Sequence, residues 1–332
     1  MRTLLATPKM APALRKRVED SVRGRARDGV SGAARGDRPR RFFALLRLVV
    51  PMAGVAVTFL TVYLQRRDLR ELDRARAMLI RAVEVQRASL TPGGAERLAV
   101  VESWLAHLSG AYEGDFVAGE LRAPGGLAEV LGRQAVYVRG PLVDFRIASG
   151  IADAAAASSV DAFVTCLVDP PASRSEKSAL VKVQAASSFA GNVYRLEDAR
   201  VISPILSPPW LQRIGRAADQ DSLGALRREF DRAPFERGKK ALAAELLVVV
   251  MDEPAAGGSP TELDGERPHD VRVAMVDLAK ATVLLRTKKH LDPSWISEAK
   301  RPVFAAALDA CVLAIDVREL ASGPLAKLPA AR

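Results

Sequence analysis

Aromatic side chains are scarce in this chain, at 5% of 332 residues, so Leu, Val and Ala must fill its core. Cysteine is scarcer still. Cys166 and Cys311 stand alone, with no CxxC pair, which excludes zinc and iron–sulfur spacings. Neither lies at the end of the long apolar run, so a lipoprotein anchor is not expected. His107, His269 and His290 are the three histidines, and none has a second histidine at ligand spacing. HExxH, GxSxG, GxGxxG and GxxxxGK[ST] are absent, so no motif points to a metalloprotease, a nucleophile elbow or a nucleotide cradle. Lysine is rare beside arginine, 11 against 38, a skew that with the many alanines suggests a high-GC bacterial source.

The net charge of +10 resembles that of a nucleic-acid binder, but its distribution does not. Residues 1–41 hold ten Arg and two Lys against four acids, a net +8, which leaves +2 for the rest. The folded part is therefore nearly neutral, and no nucleic acid is expected to bind it. With few apolar residues, the basic segment 1–41 reads as a largely disordered tail. It serves as a topology signal, or is drawn to anionic headgroups or nucleic acid.

From Leu48 to Leu64 there is no charged residue. At about 1.5 Å per residue that run is roughly 26 Å long, and about 34 Å with Phe42–Arg47 included. A hydrocarbon core is about 30 Å thick. Arg40 and Arg41 bracket one end, Arg66 and Arg67 the other, and Tyr63 falls at an interface. The sequence thus predicts one transmembrane helix over 42–64. A buried soluble helix and a cleaved signal peptide fit less well: the first because of the bracketing arginines, the second because the n-region would be some 40 residues long. The more positive flank stays cytoplasmic, so the main body is expected outside the cytoplasm, periplasmic in a Gram-negative cell.

Residues 65–133 read as a juxtamembrane helical segment. Leu69, Leu72, Leu79 and Val83 form an imperfect heptad in which Arg76 takes an apolar place. It packs on the domain or, alternatively, pairs two protomers through 65–88. A second helix is expected over Ala95–Leu108, after the Thr91–Gly94 breaker, with His107 beside its apolar face.

The remainder, 134–321, reads as a globular α/β or α+β domain: one mixed sheet covered by helices, preceded by the transmembrane and juxtamembrane helices. Strands are predicted at Ala135–Val138, Ala162–Val168, Leu246–Met251, Val271–Val276 and Thr282–Leu285. Helices are predicted near Ile147–Ser158, Ser175–Ser187, Pro209–Ala218, Leu223–Phe230, Arg237–Ala244 and Ala299–Leu320. Ser173-x-x-Glu176 has capping-box spacing, DLAKA at 277–281 has hairpin-turn character, and 253–270 reads as an exposed loop. Asn192–Leu206 is ambiguous, and 322–332 is a C-terminal tail.

Three carboxylates close apolar runs: Asp169, Asp252 and Asp277. At strand ends such acids can gather around Mg²⁺ or a phosphoryl group, or each can start a turn through its own side chain, which is the simpler reading. Ser297-x-x-Lys300 has the Ser–Lys spacing of penicillin-binding proteins without its companion elements. Cys166 and Cys311, on neighbouring elements, could be two buried thiols or, in an oxidising compartment, a disulfide. Catalytic, cofactor-binding and metal residues are accordingly assigned to none. The expectation is a single-pass inner-membrane protein, in contact with the lipid bilayer, whose extracytoplasmic domain binds an envelope protein without catalysis. The alternative is a membrane-anchored hydrolase or phosphoryl-handling enzyme using Asp169 and Asp252.

Overall fold

The computed structural model describes residues 39–91, 93–158, 162–185, 191–253 and 267–322, with side chains of the first helix from Thr58 onward. Nearly all of the expected basic tail, the C-terminal tail beyond Ser322 and the side chains of 42–57 lie outside the described residues. The backbone forms one helix, α1, over Pro39–Ala88. Among the described residues, no single helix is long and apolar enough to cross a membrane. The chain divides at Asp68, and from Leu69 on it forms a compact unit.

That unit is built on a six-stranded mixed sheet. Its strands are β1 (Phe116–Val117), β2 (Ala135–Pro141), β3 (Val193–Arg195), β4 (Leu246–Glu253), β5 (His269–Asp277) and β6 (Thr282–Leu291). Their order is β1-β6-β5-β4-β2-β3. β2 runs parallel to β3 and β4, and the remaining pairs are antiparallel. The mixed sheet with surrounding helices is an α+β architecture, as expected. β4, LLVVVMDE, is buried on both faces, which explains its unbroken apolar run.

Strand alternation divides the core in two. Val136, Val138, Leu247, Val249 and Met251 face one layer of helices. That layer includes α1, through Leu72, Leu79 and Val83, and α2 (Gly94–Leu108). The heptad positions of α1 are thus spent on the chain's own core, and the half-buried Arg76 donates to the Ala217 carbonyl. Tyr137, Val248, Val250, Val271 and Val273 face the other layer. There lie the buried helix at Ala162–Val168 and the long helix at Arg301–Ser322, the latter denoted αC below.

Several local expectations change. Ala162–Val168 is a helix rather than a strand. Phe163, Val164, Cys166 and Leu167 are all buried, and a short run buried all round carries no period to separate the two states. β6 extends to Leu291, well past Leu285, because β5 pairs with it along its full length. The ambiguous stretch resolves into β3 and a helix over Leu196–Ile205. The capping box is not made. Ser175 Oγ accepts from the Ser178 N–H at 3.3 Å, while Glu176 reaches across to a turn 121 residues away. The DLAKA turn does join β5 to β6, with Ala281 in the left-handed region at φ 52°.

Cys166 and Cys311 are joined in a disulfide, their Cα atoms 5.2 Å apart, tying the buried helix to αC. The bond links positions 145 residues apart. By loop-closure entropy it restricts the unfolded chain by up to about 5 kcal/mol.

Candidate functional site

The singled-out carboxylates do not converge. Asp169 is exposed at the end of the buried helix and pairs with Lys182. Asp277 pairs with Arg133 at 2.8 Å. Its Oδ1 also accepts from the N–H groups of Ala279 at 2.9 Å and Lys280 at 2.8 Å. Burial alone would raise its pKa, but the Arg133 guanidinium and the two N–H groups hold it below the usual carboxylate value. It is therefore a turn-forming aspartate. Asp277 pairs with Leu246 and Asp252 with Val271, so these acids sit at opposite ends of β4, about 20 Å apart at strand rise.

Ser297 and Lys300 do come together, but around an acid. Glu176 accepts from the Ser297 N–H at 2.8 Å and from its hydroxyl at 3.2 Å, and pairs with Lys300. Lys300 and the Ser297 hydroxyl are thus both engaged by the same carboxylate rather than by each other. The arrangement ties the turn before αC to the helix beginning at Glu176.

The most unusual chemistry lies under αC, on the face carrying Tyr137 and Val250. Alternation puts Arg139 of β2, Asp252 of β4 and His269 of β5 there. Asp252 is buried and receives Arg139 in a two-pronged grip, Nε to Oδ2 at 3.0 Å and Nη2 to Oδ1 at 2.8 Å. His269, expected in a loop, is the first residue of β5 and is fully buried. Its Nδ1 stands 2.8 Å from the Arg267 carbonyl, which fixes a proton on Nδ1. Its Nε2 is 3.6 Å from Asp252 Oδ1, too far for a hydrogen bond, and has no hydrogen-bond partner among the described residues.

Asp309, on αC, completes the cluster. Its Oδ1 accepts from Trp295 Nε1 at 3.1 Å, and its Oδ2 lacks a partner among the described residues. Burial pushes its pKa up to about 6, against the pull of the Trp295 N–H and the His269 and Arg139 charges. Burial would also raise Asp252, but Arg139 and then His269 hold it below its ordinary value. Burial pulls His269 down, yet Asp252 and the Arg267 carbonyl leave it raised.

The Arg139–Asp252 pair neutralises itself, so neither group is poised for acid–base work. A buried ion pair of this kind is costly to break from one side, because the remaining charge is left without its partner. Among the described residues, no group of three or more His, Cys, Asp or Glu side chains could hold a metal ion.

On the opposite face a small cleft of about 20 Å³, room for little more than a water, is lined in part by His107, Tyr112, Met251, Arg272 and Arg286. Its cations are engaged. Arg272 stacks on Tyr112 at 5.4 Å and pairs with Glu253, and Arg286 pairs with Glu113. His290 is exposed and stands 2.8 Å from Asp270.

Sequence reasoning missed Arg139 and Asp309. Signals for both were present: Arg139 shares strand parity with Tyr137 in AVYVRG, and Asp309 interrupts the apolar AALDACVLA of αC. A charge at a core parity position requires a partner.

No family model, no curated protein and no solved structure matches the chain.

Proposed function

We propose that the chain is a single-pass membrane protein whose extracytoplasmic domain binds another component of the cell envelope and performs no catalysis. The observation that carries this reading is the charge-free run Leu48–Leu64, bracketed by arginine pairs and followed by a domain of nearly neutral charge. Transferring such a run from water to hydrocarbon is strongly favourable, and its backbone amides are satisfied within a helix. The Cys166–Cys311 bond supports the extracytoplasmic side, since disulfides persist in oxidising compartments. The separate engagement of Asp169, Asp252 and Asp277 supports a binding role over phosphoryl chemistry.

Alkaline carbonate extraction of cells expressing the full chain tests the anchor. The chain is expected in the membrane pellet. Complete release into the supernatant would refute the anchoring.

A further inference from the structure

Cys166 and Cys311 are the chain's two cysteines, and both are fully buried. Their neighbours about one turn away, Phe163 on the buried helix and Leu308 and Ala314 on αC, are fully buried as well. Further ties close the same seam. Arg318 of αC donates to the Leu167 carbonyl, near the end of the buried helix. Arg174, in the loop that follows that helix, pairs with Asp316 and Glu319 of αC.

Disulfide exchange needs an attacking thiolate to reach a sulfur. In the packed domain neither sulfur is open to one, so exchange requires αC to leave the buried helix. An oxidant acting on the finished fold meets the same barrier. The bond therefore belongs to a chain that is still open when it forms. Two cysteines allow one pairing, so no reshuffling step has to follow.

The order of synthesis decides which sulfur meets an oxidant first. Cys166 precedes Cys311 by 145 residues. At about 5–20 residues per second it is made roughly 7–30 s before its partner. Over that interval an oxidant can join Cys166 but cannot close the native bond.

We propose that an extracytoplasmic thiol oxidase installs the Cys166–Cys311 bond on the open chain, through a mixed disulfide at Cys166, and that the packing of αC then seals the bond from exchange. The inference rests on the extracytoplasmic reading above and names a partner of that body: a protein carrying a reactive disulfide. In the first step the Cys166 thiolate attacks that disulfide, a bond forms to one of its sulfurs, and the other leaves as a thiolate. In the second the Cys311 thiolate attacks Cys166 Sγ and displaces the remaining oxidase sulfur. Two thiols of the chain are oxidised, the oxidase disulfide is reduced to a dithiol, and the two protons lost by the cysteines are taken up by the two oxidase thiolates.

Two measurements on the full chain test this. In cells, Cys311→Ser removes the resolving thiol. After acid quenching and alkylation, the variant should carry a reductant-sensitive adduct at Cys166, identified by mass spectrometry as a dithiol oxidoreductase. The adduct should be roughly tenfold or more scarcer in the parent, where Cys311 resolves it. With the purified chain in detergent at neutral pH, reductant should open the native bond roughly a hundredfold or more slower than the bond of the urea-unfolded chain. A free Cys166 thiol in the variant, an adduct with small thiols only, or native and unfolded rates within about tenfold of each other would each overturn the proposal. A C-terminal fusion to alkaline phosphatase, active only outside the cytoplasm, separates the two failures. An active fusion whose two cysteines are both free thiols overturns the oxidation alone; an inactive fusion with both thiols free overturns the extracytoplasmic placement and the oxidation that rests on it.

Discussion

Replacing Arg139 by methionine keeps most of the volume of the side chain but leaves the Asp252 carboxylate buried beside His269 without its guanidinium. The two charges approach to 2.8 Å. At an effective dielectric constant near 20, a separation of about 3 Å corresponds to about 5.5 kcal/mol of attraction. Much of that offsets desolvation in the intact protein. Removing one partner exposes the imbalance, and the expected loss is about 3–5 kcal/mol at neutral pH. The stranded carboxylate then titrates upward, because burial is opposed by His269 alone, so acid relieves the loss. Urea unfolding of the full chain in detergent, followed by tryptophan fluorescence with Trp210 buried in the core, reads the effect at pH 7.5 and pH 5. The Arg139→Met penalty should be smaller at pH 5. The double variant Arg139→Met/Asp252→Leu should recover to within about 1–2 kcal/mol of the parent. A single-variant loss below about 1 kcal/mol, unchanged between the two pH values, would refute the reasoning.

Three further outcomes are expected. Asp309 has a folded pKa of about 6 against an ordinary 3.8. Its contribution is thus fully present below about pH 4 and lost as pH rises through 6, about 3 kcal/mol in all. His269 is raised as well, so its contribution is present below its ordinary 6.5 and lost above its folded value. Asp252 is lowered and acts in the other direction, losing its contribution on acidification below its ordinary 3.8. Stability should therefore peak between about pH 4 and 6, with Asp309→Asn flattening the fall from pH 5 to 7.5 in thermal melts. Removing the disulfide as Cys166→Ala/Cys311→Ala should cost about 2–5 kcal/mol in urea unfolding without reductant and make stability indifferent to reductant; a variant whose stability still falls on adding reductant, or that equals the oxidised parent, would contradict this. Ala281 sits at φ 52°, so Ala281→Gly should raise the melting temperature, gaining about 0.5–1 kcal/mol, and a drop would place the β5–β6 turn in another conformation.

The sheet was legible where strands are long and β-branched. LLVVVM and VRVAMV announce β4 and β5 because each buries both faces. β1 and β3, of two and three residues, leave no periodic trace and exist through pairing with β6 and β2. The second half of β6 was hidden by Lys288, Lys289 and His290. Its polarity makes sense only opposite Glu253 and Asp270, which pair with Lys288. The buried helix at 162–168 failed for the opposite reason: it has no polar side to betray its period. The Arg139–Asp252 contact joins residues 113 apart, and the Glu176–Ser297 contact residues 121 apart, so no local rule could assign either. Strand parity could still have marked Arg139 as a core charge in need of a partner.

The proposed anchoring, with an extracytoplasmic body, is tested most directly by one measurement. With alkaline phosphatase, which is active only outside the cytoplasm, fused after Arg332, enzyme activity is expected in the carbonate-resistant membrane fraction, and a fluorescent protein that folds only inside should stay dark at the same position. A bright fluorescent fusion with an inactive phosphatase, or phosphatase activity confined to the soluble fraction, would contradict the account.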